Sequence, residues 1–258
     1  MIELAVLGSG SKGNSVLVRT GRTALLLDAG LSARQLAQRC HASDLDPRRL
    51  DGVLLTHEHS DHVRGLPVFA RHCPVPVLGN AATLGAAGAA LATAPRAWAF
   101  TTGVPFAWGD FTVAAFPVSH DAVEPVGFVL EAEGVRVGYA TDLGRLTPPI
   151  LAALGGCHIV VLEANHDVDM LWKGPYPWPL KQRISSHLGH LDNASGAGQL
   201  PTIVGGDTAH LVLAHLSENN NQPGLVRSLF AAALADAGCA HVQLTVAGQH
   251  HASPVLRV

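Results

Sequence analysis

Apolar residues along the chain gather in short runs, some alternating with polar residues and others unbroken, with turn residues between them. The runs predict strands near 2–7, 15–19, 23–28, 52–56, 75–78, 111–116, 126–132, 135–141, 159–163, 211–214 and 242–246. Between them, apolar positions at helical spacing predict helices near 32–40, 62–72, 80–92, 147–154, 179–188, 193–202 and 222–237. The glycine turns Thr20-Gly21-Arg22 and Glu133-Gly134-Val135 join neighbouring strands as hairpins, whereas other strands are separated by helices. Such mixing predicts an α/β architecture of two sheets with helices outside. No low-complexity linker, charge block or short-period repeat divides the chain, so residues 1–258 are read as one domain.

One predicted strand ends in a concentration of ligand chemistry. Thr56-His57-Glu58-His59-Ser60-Asp61-His62 follows the apolar run Gly52-Val53-Leu54-Leu55. His57 and His59 are two apart, so on extended backbone they point to the same side and can pinch one ion. Ser60 is a good helix N-cap, and after that turn Asp61 and His62 project toward a neighbouring position. Two ions side by side follow from this spacing. Imidazole and carboxylate without thiolate suit zinc, iron or manganese and argue against a closed structural zinc site. The competing reading, a polar surface turn rich in histidine, requires four ligand-type residues to meet by chance at the mouth of a buried strand.

At 258 residues, 48% hydrophobic and 14% charged, the composition is that of an ordinary soluble globular protein. A formal charge of −3 supplies no global basic field, so any nucleic-acid binding would rest on a local patch and on the metals' own charge. Cys40, Cys73, Cys157 and Cys239 are scattered without a C-x-x-C pair, which predicts reduced, buried thiols and a cytoplasmic setting. The N-terminus opens directly on a strand with no secretory signal pattern. The Ala81–Ala94 stretch is too short and too broken by glycine to span a bilayer, so no membrane association is expected.

Three further predicted strands end in a ligand-type residue: His120 after Phe116-Pro117-Val118-Ser119, Asp142 after Tyr139-Ala140-Thr141, and His215 after Leu211-Val212-Leu213-Ala214. Each alone would be a cap or a solvated turn residue, but with the first cluster they form a consistent set. The opening Gly8-Ser9-Gly10-Ser11-Lys12-Gly13-Asn14-Ser15 offers backbone N–H groups, hydroxyls and an ammonium to an anion, or is simply a tight connection. It is not a Walker loop, because the G-x-x-x-x-G-K-[ST] spacing is absent. Trp172-Lys173-Gly174-Pro175-Tyr176-Pro177-Trp178-Pro179-Leu180-Lys181-Gln182-Arg183 joins three cations to three large aromatics. It either holds phosphates while its rings stack on bases, or covers the core with its cations solvated. Ser217-Glu218-Asn219-Asn220-Asn221 after His215 contacts substrate or caps the following helix.

These residues resemble the metallo-β-lactamase superfamily, whose αββα sandwich carries an H-x-H-x-D-H loop and three later ligands at strand ends. The resemblance implies that His57, His59 and His120 hold one metal, that Asp61, His62 and His215 hold the other, and that Asp142 bridges them. An aspartate in place of cysteine at the bridging position is similar to the hydrolase and nuclease branches and disfavours penicillin hydrolysis. The glycine-rich opening, Ser119-His120-Asp121-Ala122-Val123-Glu124-Pro125 and Glu163-Ala164-Asn165-His166-Asp167 resemble the YycJ/WalJ (VicX) family. So do Gly174-Pro175-Tyr176-Pro177 and Gly189-His190-Leu191-Asp192-Asn193. That resemblance is nearly full length and implies a phosphodiesterase acting on nucleic acid, with 5′-to-3′ exonuclease activity on DNA. Asp192 departs from it, standing where serine is expected; an acid meeting a phosphate there would alter substrate preference or release.

Two divalent ions roughly 3.5–4 Å apart lower the pKa of a bridging water, provide hydroxide at neutral pH and polarise a phosphoryl or acyl oxygen. Asp61 and Asp142 are the expected carboxylates at that hydroxide, and a general acid would assist the leaving oxygen of a diester. His166, His187 and His190 are the candidates for the acid, with His190 preferred for its place in the family-like phrase. Expected substrate contacts are Ser11, Lys12, Asn14, His166, Lys181, Arg183, His187, His190, Asn193 and Asn219. The leading expectation is a dinuclear-metal phosphodiesterase on nucleic acid. Hydrolysis of a small ester, thioester or lactone is the alternative on the same metals, and a binding or sensing protein with a retained metal site is a third.

Overall fold

The computed structural model describes residues 1–258. Its first sheet uses β1 (Glu3–Gly8), β2 (Ser15–Arg19), β3 (Ala24–Leu27), β4 (Gly52–Leu54), β5 (Val77–Asn80) and β6 (Ala97–Phe100). Its second uses β7 (Phe106–Trp108), β8 (Phe111–Pro117), β9 (Val126–Ala132), β10 (Val135–Ala140), β11 (Ile159–Glu163), β12 (His210–Ala214) and β13 (Gln243–Val246). A last short strand, β14 (Leu256–Arg257), returns to pair antiparallel with β1 and completes the first sheet. Each sheet is antiparallel in one half and parallel in the other: β3 to β6 and β10 to β13 run parallel.

Parallel neighbours require crossovers, and helices supply them. On the first sheet these are α1 (Ala33–Ala42), α2 (Ser60–Val63), α3 (Leu66–His72) and α4 (Ala81–Ala87). On the second they are α5 (Pro148–Leu154), α6 (Val168–Lys173), α7 (Trp178–Ile184), α8 (Asn193–Gly198), α9 (Leu200–Ile203) and α10 (Pro223–Asp236). Strand periodicity sorts the core into three layers. Leu4, Val6, Leu25 and Leu27 meet Phe128, Val161 and Val212 between the sheets. Their neighbours Ala5, Leu7 and Leu26 face Leu36 and Phe69 of the first helical layer, while Val160, Leu162, Leu211 and Leu213 face Leu154, Leu200 and Phe230 of the second. Strands buried on both faces read as unbroken apolar runs for this reason. The result is an αββα sandwich of two mixed sheets.

Several elements differ from their predicted extents. The helix expected over 62–72 is two, because Gly65 N–H donates to Ala29 O instead of continuing the first turn. The one expected over 193–202 breaks at Gln199, just before Pro201, whose missing N–H cannot serve α8. The one over 179–188 stops at Ile184, and the one over 80–92 is helical only to Ala87, after which Gly88 opens a 3-10 turn. Strands β6, β7 and β14 were not legible as apolar runs, nor was the six-residue α6. The four cysteines are buried and unpaired, as expected. No helix is long and apolar enough to cross a membrane.

Candidate metal centre

Strand ends of both sheets deliver polar residues to one rim of the sandwich. Asp28 follows β3, His57 and His59 follow β4, His120 follows β8, Asp142 follows β10, Glu163 ends β11 and His215 follows β12. Asp28, Asp142 and His215 take left-handed backbone, with φ of 62°, 57° and 54°. Asp and His enter that region more readily than most side chains, and the turn there redirects each side chain off its strand. Close packing of the connecting loops completes the rim. Gly30 sits where a Cβ would lie 1.5 Å from Asp61 O, so only glycine lets the 28–31 turn run against the histidine loop. The helix that carries Asp61 and His62 starts one residue earlier in register than expected: His59, not Ser60, occupies the N-cap position.

Ligand-type atoms fall into overlapping groups, each with all its atoms within 4.8 Å of one another. They are His57, His59 and His120; Asp61, His62 and His215; His57, His62 and Asp142; and Asp142, Glu163, His190 and His215. Hydrogen bonds behind the rings select which nitrogen faces the group. His62 Nδ1 lies 2.8 Å from Asp28 Oδ2 and His120 Nδ1 donates to Gly189 O at 3.0 Å, leaving both Nε2 atoms forward. Thr56 Oγ1 donates to Asp28 Oδ2 and receives His57 Nδ1, 2.9 Å away, so the His57 Nε2 lone pair also points inward. His57 Nε2, Asp142 Oδ2 and His215 Nε2 are buried and make no hydrogen bond. Coordination to a divalent cation would satisfy all three, and the nitrogen and oxygen donor set fits such an ion.

Burial and the facing carboxylates set the electrostatics of the group. Burial, reinforced by the neighbouring His62, holds His57 well below the ordinary histidine value, and burial lowers His120. Burial opposes charge on His62 and His215 too, but Asp142 together with Asp28 at His62, and with Asp61 and Glu163 at His215, outweighs it and both are raised well above the usual range. Burial likewise opposes ionisation of Asp142, yet His215 and His62 hold it well below an ordinary carboxylate. Glu163, fully buried, is drawn down to about 2 against that same opposition by His190 and His215. Charged carboxylates crowded into a buried pocket are the condition under which a cation is welcome.

Of the three histidines considered as proton donor, only His190 joins these groups: Nδ1 lies 2.8 Å from Glu163 Oε1 and its ring is stacked 5.1 Å from that of His215. His166 is buried with Nδ1 3.3 Å from Asn165 Oδ1, and His187 is exposed on the turn after α7. Several expected substrate contacts are buried or already partnered in the structure. Lys181 turns its ammonium inward to Trp172 O at 2.7 Å, Asn193 is locked to Asn221, and Asn14 is buried with its amide 3.0 Å from His62 Nε2 and 3.3 Å from Asp61 Oδ2. Asp192 caps α8 by accepting from Ser195 N at 2.8 Å, which explains an acid there without a phosphate. Ser11 and Lys12 are exposed, Arg183 is half exposed and paired with Asp121, and Asn219 donates to Tyr176 OH. Ser11, Asn165, Tyr176, Arg183, His190 and Ser217 line a cavity of about 190 Å³ beside the cluster. Asp28 and Glu163 went unread in the sequence, where the first is one acid after an apolar strand and the second part of a longer phrase.

The sequence model of the Beta-lactamase superfamily domain matches residues 23–216. The chain is 36% identical to the exodeoxyribonuclease YycJ of Bacillus anthracis over 92% of its own length and 90% of the relative's. To the exodeoxyribonuclease WalJ of Streptococcus pneumoniae it is 35% identical, over 91% and 89%. Among solved structures it is similar to the metallo-β-lactamase fold protein YhfI from Bacillus subtilis, with TM-score 0.77, 18% identity and coverage of 98% and 99%. Zn²⁺-bound PqqB from Methylobacterium extorquens superposes with TM-score 0.74, 19% identity and coverage of 99% and 100%. The chain therefore belongs to the metallo-β-lactamase superfamily and, within it, to the family of YycJ and WalJ.

Proposed function

We propose that this chain is a single-domain, metal-dependent exodeoxyribonuclease that hydrolyses DNA phosphodiesters in the 5′-to-3′ direction within the cytoplasm. The carrying observation is the set of buried, unpartnered donor atoms, His57 Nε2, Asp142 Oδ2 and His215 Nε2, at the centre of the converging rim. In this reading His57, His59 and His120 would hold one divalent ion and Asp61, His62 and His215 a second, with Asp142 available to both. Zinc, manganese or iron would supply the activation of water and the polarisation of the phosphoryl oxygen. The exodeoxyribonuclease relatives, similar over nine-tenths of the chain, support DNA as substrate, and four buried free thiols support a reducing compartment.

The chain's own residues account for the rest of the reaction. Asp61 and Asp142 orient the attacking water. His190 sits at the edge of the cluster with Nδ1–H directed to Glu163, so Nε2–H is the proton available to the leaving oxygen. Glu163, held ionised, fixes that tautomer and offsets charge on the ring. Arg183 and Ser11 line the adjoining cavity, where the phosphate and sugar next to the cleaved bond would lie. The test is release of nucleotide from 5′-labelled and 3′-labelled duplex DNA with manganese or zinc, alongside bis-p-nitrophenyl phosphate, for wild type and Asp142→Ala. Metal-dependent nucleotide release lost in the variant supports the reading. Cleavage of thioesters or lactones without either phosphodiester would replace it.

A further inference from the structure

We infer that Gln249 is a positioning residue for the metal centre, acting through the glycine-rich loop that presses Asn14 against Asp61 and His62. The inference rests on the reading that Asp61 and His62 hold an ion. The loop between β1 and β2 contains Gly10 and Gly13, so ordering it costs backbone entropy that contacts from other segments offset. Gln249, more than 230 positions away in sequence, does this with one carboxamide. Its Oε1 accepts from Lys12 N at 2.8 Å and its Nε2 donates to Gly13 O at 3.0 Å. Neither loop group has a backbone partner, so this side chain is the protein group that meets both. Gly10 makes room for it: with φ at +134°, a Cβ there would lie 2.5 Å from Gln249 Oε1.

Gln249 is itself held in place. Arg39 of α1 donates from Nη1 to Leu7 O and Gln249 O, and from Nη2 to His250 O at 2.8 Å, tying the end of β1 to the 249–250 segment. On the other side of the strut, Asn14 directly follows Gly13. Its Oδ1 accepts from Gly10 N at 2.8 Å, its backbone N–H donates to Asp61 O at 2.8 Å, and its amide faces Asp61 Oδ2 and His62 Nε2. Movement of the 12–13 peptide is thereby passed to one ligand group. Asn14 makes no hydrogen bond to His57, His59 or His120, so that group is expected to respond less.

The test is zinc titration of metal-free protein against a chromophoric chelator, with Gln249→Met, which keeps side-chain length and removes both hydrogen bonds. Expected are an unchanged first ion and a second bound about tenfold more weakly, the lower end of what partners bonded directly to ligands contribute. Asp61→Asn separates the inference from its premise. If Asp61→Asn weakens one ion and Gln249→Met matches wild type at both, the strut is overturned and the ligand reading stands. If Asp61→Asn binds both ions as wild type does, the premise fails and the inference with it. Should Gln249→Met not fold, Gln249→Glu gives the same readout, since it keeps the acceptor for Lys12 N and loses the donor to Gly13 O. A weakened second ion supports the strut, and wild-type affinity overturns it.

Discussion

His62 Nδ1 lies 2.8 Å from Asp28 Oδ2, and both side chains are completely buried. The same carboxylate accepts from Thr56 N and Thr56 Oγ1, so one residue at the end of β3 orients His62 directly and His57 through a hydroxyl. Asp28→Asn is the informative change, because asparagine tolerates the left-handed backbone at that position while removing the charge. It is expected to lower zinc affinity by about ten- to a hundredfold in a chelator competition. Wild-type affinity in that variant would mean that the rings keep their tautomers without Asp28.

His190→Ala is expected to cut turnover of polynucleotide by about a hundredfold or more, the usual contribution of a positioned acid. Bis-p-nitrophenyl phosphate should be cleaved nearly as well as by wild type, since nitrophenolate departs without a proton. Equal losses on both substrates would show that His190 supports the cluster rather than the leaving group.

Lys181 and Arg183, two residues apart on α7, are expected to separate stability from binding. Lys181→Ala leaves Trp172 O without its donor and removes a buried stem, costing about 1–3 kcal/mol in urea unfolding. Arg183→Gln breaks a half-exposed pair with Asp121, so it costs under about 1 kcal/mol. Its effect should appear as a raised KM for DNA at similar kcat. A large stability loss in Arg183→Gln with unchanged KM would contradict this division.

Glu163 gives metal-free protein a defined acid response. Its carboxyl titrates at about 2 in the fold against 4.5 unperturbed, so the folded state favours the ionised form. That contribution to stability is complete above 4.5 and is lost as pH falls from there toward 2. With chelator present, Glu163→Gln should therefore unfold with a shallower dependence on pH across that window than wild type. Parallel curves for the two proteins would place the acid response elsewhere.

The layers of the fold were legible because most of their strands are buried on both faces and write themselves as apolar runs. Edge strands are not: β6 exposes Ala97 and Ala99, and β14 is two residues pairing with a strand more than 250 positions away. At the site, His57, His59, Asp61 and His62 were legible as a local spacing, and His120, Asp142 and His215 as strand-end residues. The bonds behind them were not. Asp28 meets His62 across 34 positions and Glu163 meets His190 across 27, and neither pairing leaves a periodic trace. Lys181 and Arg183 looked equivalent as cations near aromatics, and only packing turned one inward and the other out.

The return of β14 to the edge of β1 bears on the order in which the site can be completed. The segment through His215 already carries every predicted ligand, from His57 to His215. It still lacks the edge strand of its first sheet and the Gln249 carboxamide that holds the glycine-rich loop. The rim is therefore braced only once residues 249–257 have docked. Under the proposed strut, full-strength ion capture would follow the docking of this late segment and not the mere presence of the ligand residues.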